Sequence, residues 1–215
     1  DSGVTFDIPT KRVSAWADKS GQGSDVVQTT AAKQPLRYGY GGINDKAYIG
    51  FDGTNDYFVS SNNLPITTDF TIFEVSKIQN QDGSVFNYQS GNSYIKLGTD
   101  DGGELNVSVS DDASEVIQTR TGIAVTGSPH IAVLKKHNKR IDLDYYDSSN
   151  SISFTSTNSG FDNTETFNQN KFKVGYNDIS YLGGELNELI IFNRSLSSTE
   201  IADIVGYLNL KYKIY

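Results

Sequence analysis

The chain has no cysteine and no methionine, one tryptophan, two histidines and four prolines in 215 residues. Without cysteine, disulfides, thiolate metal sites and a cysteine nucleophile are excluded, while the redox compartment stays open. The two histidines, His130 and His137, stand at the edges of one strand-like run. They read as ordinary strand-end residues and give a Ser-His-Asp arrangement little to build on. No stretch approaches the ~18 apolar residues needed to cross a bilayer, and no signal-type segment remains. A soluble module without membrane insertion is therefore expected. The missing methionine at residue 1 suggests a processed N-terminus or a segment of a larger protein.

Positive charge is also scarce. Eighteen basic against 26 acidic residues give a net charge of −8 and a pI near 4.7, which opposes association with nucleic acid or anionic lipid. The one basic cluster, Lys135-Lys136-His137-Asn138-Lys139-Arg140, lies between two strand-like runs and reads as a solvated hairpin turn. Hydrophobic residues make up only 36%, but 13 Tyr and 11 Phe supply enough buried area for a sizeable core. No linker-like stretch divides the sequence, so residues 1–215 are read as one domain.

The pattern along the chain is strand and turn almost throughout. Val13–Trp16, Ala47–Phe51 and Tyr57–Val59 are early strands, the last two joined through Asp52-Gly53-Thr54-Asn55-Asp56 as a hairpin or tight loop. Phe70–Ile78 is apolar on both faces, which predicts a central strand covered on two sides. Strands follow at Ser84–Tyr88, Tyr94–Leu97, Leu105–Val109, Val116–Thr119, Ile131–Leu134 and Ile141–Tyr145. The stretch from Ser148 to Asn170 reads as a short strand around Ile152 to Phe154 with a long polar loop, and the series closes with Lys171–Tyr176 and Glu185–Phe192. Then one helix is announced: Ser197 and Glu200 form a capping box, Leu196 and Ile201 a hydrophobic staple, and Ile201, Ile204, Val205 and Leu208 share a face. That helix is read as a packing element. The expected fold is all-β, an antiparallel β-sandwich with a single C-terminal α-helix.

Three segments resemble the laminin G-like modules of the concanavalin A-like lectin/glucanase superfamily, in the jelly-roll form found in phage structural and bacterial surface proteins. They are Val13 to Gly23 with Gln28 and Gln34-Pro35, then Phe51 to Phe58 with Phe70 to Phe73, and Gly184 to Leu196 with Glu200-Ile201, Tyr207-Leu208 and Lys211-Tyr212. The resemblance implies a virion-surface or extracellular setting and a partner that is a cell-surface glycan or a neighbouring virion or surface protein. Homo-oligomerisation through the parent protein is compatible with it. It does not transfer an activity, because members of this fold include sugar binders, protein binders and hydrolases.

Glycoside hydrolysis needs two carboxylates on one side of a cleft. Glu185 and Glu188, three apart in a strand, are expected on opposite faces; Asp142 and Asp144 share a face but lie beside Lys139 and Arg140 and read as a solvated strand face. A non-enzyme is expected. Sugar recognition needs an aromatic ring to stack on a pyranose and polar groups for its hydroxyls. The candidates are Tyr88 in Asn87-Tyr88-Gln89, Tyr94 in Asn92-Ser93-Tyr94 and, favoured, Tyr176, Asn177, Asp178 and Tyr181. A tyrosine-rich turn packing on its own sheet is the alternative. For a metal, oxygen-rich turns suit Ca2+; Asp52, Asn55 and Asp56 are the candidates, with Asp100-Asp101 and Asp111-Asp112 as further acidic turns, though Asp-Gly turns use such residues for backbone reasons alone. The functional expectation is a non-catalytic, sugar-binding recognition module, with a structural or decorative virion domain as the alternative.

Overall fold

The computed structural model describes residues 3–66, 68–110, 116–159 and 167–215. Asp111-Asp112 lies outside the described residues. Sixteen strands are described: β1 (Val4–Phe6), β2 (Val13–Trp16), β3 (Val26–Val27), β4 (Leu36–Tyr38), β5 (Tyr48–Asp52), β6 (Phe58–Ser60), β7 (Phe70–Ile78), β8 (Ser84–Ser90), β9 (Ser93–Thr99), β10 (Glu104–Ser110), β11 (Val116–Ala124), β12 (His130–His137), β13 (Arg140–Tyr146), β14 (Ser151–Thr157), β15 (Phe172–Val174) and β16 (Gly183–Phe192). They form two antiparallel sheets, one of nine strands in the order β1-β2-β3-β6-β15-β8-β9-β10-β11 and one of seven in the order β14-β13-β12-β7-β16-β5-β4. Helix α1 (Ser198–Tyr212) closes the chain.

β7 is the centre of the assembly, as its two-faced apolarity predicts. Phe70 and Ile72 point into the core between the sheets, whereas Phe73 and Val75 join a second core beneath α1. Ile201, Val205, Leu208 and Tyr212 bury the helix face against that second core. The helix begins as its sequence dictates: Ser197 Oγ accepts the Glu200 N–H at 3.3 Å and the Glu200 carboxylate accepts the Ser197 N–H at 2.9 Å. Ser197→Ala should therefore destabilise the domain by about 1 kcal/mol, read as a lower urea midpoint at unchanged slope; an unchanged midpoint would show that the cap contributes nothing.

Four local expectations are corrected. The Asp52–Asp56 turn is the tight loop and not the hairpin, because β5 and β6 belong to different sheets and the Gly53 N–H bonds the Leu182 carbonyl instead of a hairpin partner. Glu185 and Glu188 share the outer face of β16, since Asn187 is an extra, bulged residue that sets Glu185 opposite Lys77 and Glu188 opposite Val75. Asp142 is not solvated: only 8% exposed, it is held by Arg140 Nε at 2.6 Å and Thr155 Oγ1 at 2.7 Å. Lys136, in the basic turn, runs inside the sandwich and donates to the Asn138 carbonyl at 3.0 Å.

Candidate functional site

Beyond β15 the chain must pass the Phe51 ring, and only glycine fits. A Cβ on Gly175 would stand 2.5 Å from that ring, and the residue sits at φ +87°. The following loop closes on itself through a Tyr176–Tyr181 bridge, and Asn177 Oδ1 accepts the N–H groups of Ile179 at 3.1 Å and Ser180 at 2.8 Å. The closure stacks the Tyr176 and Tyr181 rings at 4.4 Å and 14°. Tyr57 joins them, 5.4 Å from Tyr176 and 6.4 Å from Tyr181. Ile179 stands 86% exposed at the tip.

Charged and amide groups surround the rings. Lys173 on β15 forms an ion pair with Asp178 and sits 5.2 Å from the Tyr176 centroid, while Lys33 lies 5.7 Å from Tyr57. Asn87 Nδ2 donates to the other oxygen of Asp178 at 3.4 Å. Lys173 is opposite Asn87, and Asn87 opposite Lys96, so this row crosses the outer face of the nine-stranded sheet, the sheet on which α1 does not pack. Tyr94 shares that face opposite Gln89, with the Lys96 ammonium 4.7 Å from its ring centroid.

The acidic loop precedes Tyr57. Asp52 Oδ1 accepts the N–H groups of Thr54, Asn55 and Asp56 at 2.8, 3.0 and 3.3 Å; burial raises its pKa, but these three bonds more than offset it and the net shift is downward. Asp56 goes the other way, pushed up to about 6 by burial and the neighbouring Asp52. Asn55 Oδ1 is buried with no hydrogen-bond partner. Among the described residues no three His, Cys, Asp or Glu side chains cluster as metal ligands. Asp100 serves its own turn, accepting the N–H groups of Gly102 and Glu104 and pairing with Arg120 at 3.2 Å.

The sequence matches no family model, and no curated protein aligns with it significantly. Solved structures do match. Domain 4 of AbnA, a GH43 extracellular arabinanase from Geobacillus stearothermophilus in complex with arabinotriose, is 16% identical, with a TM-score of 0.61 over 80% of this chain and 81% of that one. Domains LG4-5 of the mouse laminin α1 chain are 14% identical with a TM-score of 0.57, covering 69% of this chain and 45% of the laminin chain. The fold is a concanavalin A-like sandwich. Full-length tailspike protein 2 from an Escherichia coli O157:H7 bacteriophage is 14% identical with a TM-score of 0.61, covering 87% of this chain and 27% of the tailspike.

On this concanavalin A-like sandwich the candidate residues separate. Tyr176, Asn177, Asp178 and Tyr181 are together in one rim loop, and Asp52, Asn55 and Asp56 are brought beside it through Gly175, Phe51 and Tyr57. Tyr94 lies on the open face, half-buried. Tyr88 leaves the ligand-binding set: it alternates with Asn87 and so points inward, its ring fully buried edge-on to Phe167. Tyr57, Lys173 and Asn87 were not singled out from sequence as partners of the loop; Lys173 and Asn87 become legible only once β15 and β8 are known to pair. A further aromatic pair, Tyr38 and Tyr48, stacks at 4.6 Å beside Glu185 in a shallow cleft of about 180 Å3 on the opposite sheet.

The core also hides a Ser-His-Glu group. His130 Nε2 is 2.9 Å from Glu74 Oε1 and 3.3 Å from Ser76 Oγ, and Nδ1 is 2.9 Å from the Ser128 carbonyl. Serine and glutamate address the same ring nitrogen, and all three side chains are fully buried, so the group has neither the relay geometry nor the access of a nucleophilic site. His137, by contrast, is exposed and pairs with Asp69 at 3.0 Å.

Proposed function

We propose that this domain is a non-catalytic recognition module of a virion or bacterial surface protein, and that it binds a glycan at the Tyr176–Tyr181 loop. The observation that carries the reading is the rim cluster of Tyr57, Tyr176 and Tyr181, flanked by Lys173, Asp178 and Asn87. Aromatic faces with convergent amide, carboxylate and ammonium groups are what stacking on a pyranose and bonding its hydroxyls require. The non-catalytic part is supported by the engagement of one acid in each carboxylate pair weighed for hydrolysis. Glu188 is taken up by Lys211 at 2.6 Å and Tyr212 at 2.7 Å, and Asp142 by Arg140 and Lys135.

Ca2+ at Asp52, Asn55 and Asp56 is the second part of the proposal. The unpaired Asn55 Oδ1 and the raised Asp56 carboxylate are the groups a hard cation would stabilise, and the ion would hold the loop that carries Tyr57. The test is a glycan array, with and without chelator, on the wild type and on Tyr176→Ala. Saturable binding that weakens about fivefold in the variant is expected, since stacking on one ring is worth ~1 kcal/mol. Loss with chelator would assign the Ca2+ role, and unchanged binding would remove it. An array flat for the wild type would remove the glycan reading. Tyr207 and Leu210, 55% and 79% exposed on the helix, favour assembly through protein contacts as the second reading; a defined oligomer in light scattering together with a flat array would establish it.

A further inference from the structure

The rim loop already carries a carboxylate at the spot where a ligand carboxylate would bind. Lys96, Asn87 and Lys173 stand opposite one another on β9, β8 and β15, so their side chains leave the same open face. Asn87 is 1% exposed, and its Oδ1 is buried with no hydrogen-bond partner, whereas Nδ2 donates to Asp178 Oδ2 at 3.4 Å. The other oxygen of Asp178 takes the Lys173 ammonium. Asp178 therefore bridges a lysine and a buried amide with its two oxygens. It does so from an exposed loop position with left-handed backbone, φ 73°, outside any strand.

Such an exposed ion pair is weakly held and exchanges with other anions. The two lysines are held in place independently of it, Lys173 against Tyr176 and Lys96 against Tyr94. In a chain of net charge −8, this row concentrates positive charge on a face that also offers stacked rings. The preorganised set of ammonium, amide donor and unpaired amide acceptor is complementary to a sugar acid: a carboxylate for Lys173 and Asn87 Nδ2, and a hydroxyl for Asn87 Oδ1.

We propose that the loop selects acidic saccharides, a sugar carboxylate of uronate or sialate type displacing Asp178 and taking over its contacts to Lys173 and Asn87 while the ring lies against the Tyr176–Tyr181 pair. This rests on the glycan reading above, adds the charge of the ligand and changes one role in it: Asp178 gives up its place to the ligand and bonds no hydroxyl. Asp178 is then an internal competitor, and removing it strengthens binding.

The test titrates galacturonic acid, N-acetylneuraminic acid and the methyl ester of each into the full chain, following the Asn87 side-chain amide resonances by NMR. Wild type, Asp178→Ala and Lys173→Met are compared; Asp178 is exposed, so its removal leaves the folded chain available for measurement. One acid or both should shift the Asn87 signals saturably, identifying the uronate or the sialate source, and the esters should not. Asp178→Ala should tighten the acid about tenfold if Asp178 occupies the site about nine-tenths of the time, and Lys173→Met should bring the acid down to the level of its ester. Esters that bind as well as acids, Asn87 signals unmoved by both acids in Asp178→Ala, or an acid weakened by that substitution would overturn the proposal. Array hits confined to neutral glycans would remove the charge selection and leave the glycan reading standing, whereas an array flat for wild type and Asp178→Ala alike would remove both.

Discussion

Glu74→Leu is expected to lower the melting temperature by roughly 10 °C. Breaking a buried pair by removing one member costs about 3–5 kcal/mol, because the survivor is left uncompensated, and in a chain of this length each kcal/mol moves the midpoint by about 2–4 °C. Glu74 and His130 are both fully buried between the sheets, 2.9 Å apart. Glu74 Oε2 has no partner, so on the glutamate side the pair rests on the contact with His130. Glu74→Leu/His130→Leu removes both polar groups and should recover most of the loss. A double variant as unstable as the sum of the singles would show that the two groups do not act as a pair.

The same pair sets a pH dependence with a definite sign. Burial alone pulls the His130 pKa down, but Glu74, the Ser128 carbonyl and Asp147 more than offset it, and the net shift is upward. A group whose native pKa is raised contributes stability that is fully present below its unfolded value, about 6.5 for histidine, and is lost as the pH rises through the native value. Wild-type stability should thus decline across that interval more than that of the double variant. Parallel curves would show that His130 does not titrate with folding.

Neither the pair nor its consequence was legible in the sequence, and the reason is distance along the chain. Glu74 and His130 are 56 residues apart and meet only because β7 and β12 pair with Ser76 opposite His130. Each alone looks like a polar residue interrupting an apolar strand. The capping box of α1, by contrast, is complete within four residues, and the helix starts at Ser198 as expected. The strands were legible as alternation and punctuation, but their assignment to a sheet was not: Asp52-Gly53 looks the same whether the chain returns beside itself or crosses to the other layer. Asn187 illustrates a third limit. A bulge resets the two-residue period from within, and nothing local distinguishes Glu185 and Glu188 on one face from the same residues on opposite faces. The rim site was half legible on the same grounds. Tyr176 to Tyr181 is a contiguous loop and could be read directly, whereas Tyr57 and Asn87 come to it from distant parts of the chain and Lys173, on the strand that leads into it, is set beside Asn87 by the β15–β8 register.

Leu208→Ala, the second large effect, should destabilise by about 2–5 kcal/mol, because Leu208 is fully buried where α1 meets the outer face of the seven-stranded sheet. Phe73, Val75, Ile131 and Val133 on β7 and β12 share this second core with Ile201, Val205, Leu208 and Tyr212 of the helix, and with Ile43, Leu196 and Ile214 beside it. β7 and β12 are also the central strands on which the inner core rests. Loosening the helix therefore opens the sandwich at its middle and not at an edge, so hydrogen exchange should show β7, β12 and α1 losing protection together. The rim loop is anchored to β15, Phe51 and Tyr57, none of which touches the helix core, and the Tyr176–Tyr181 stack should survive in the folded fraction with its ligand affinity unchanged. Exchange confined to α1, with β7 still protected, would mean that the helix is an appendage and that the two sheets are stable without it.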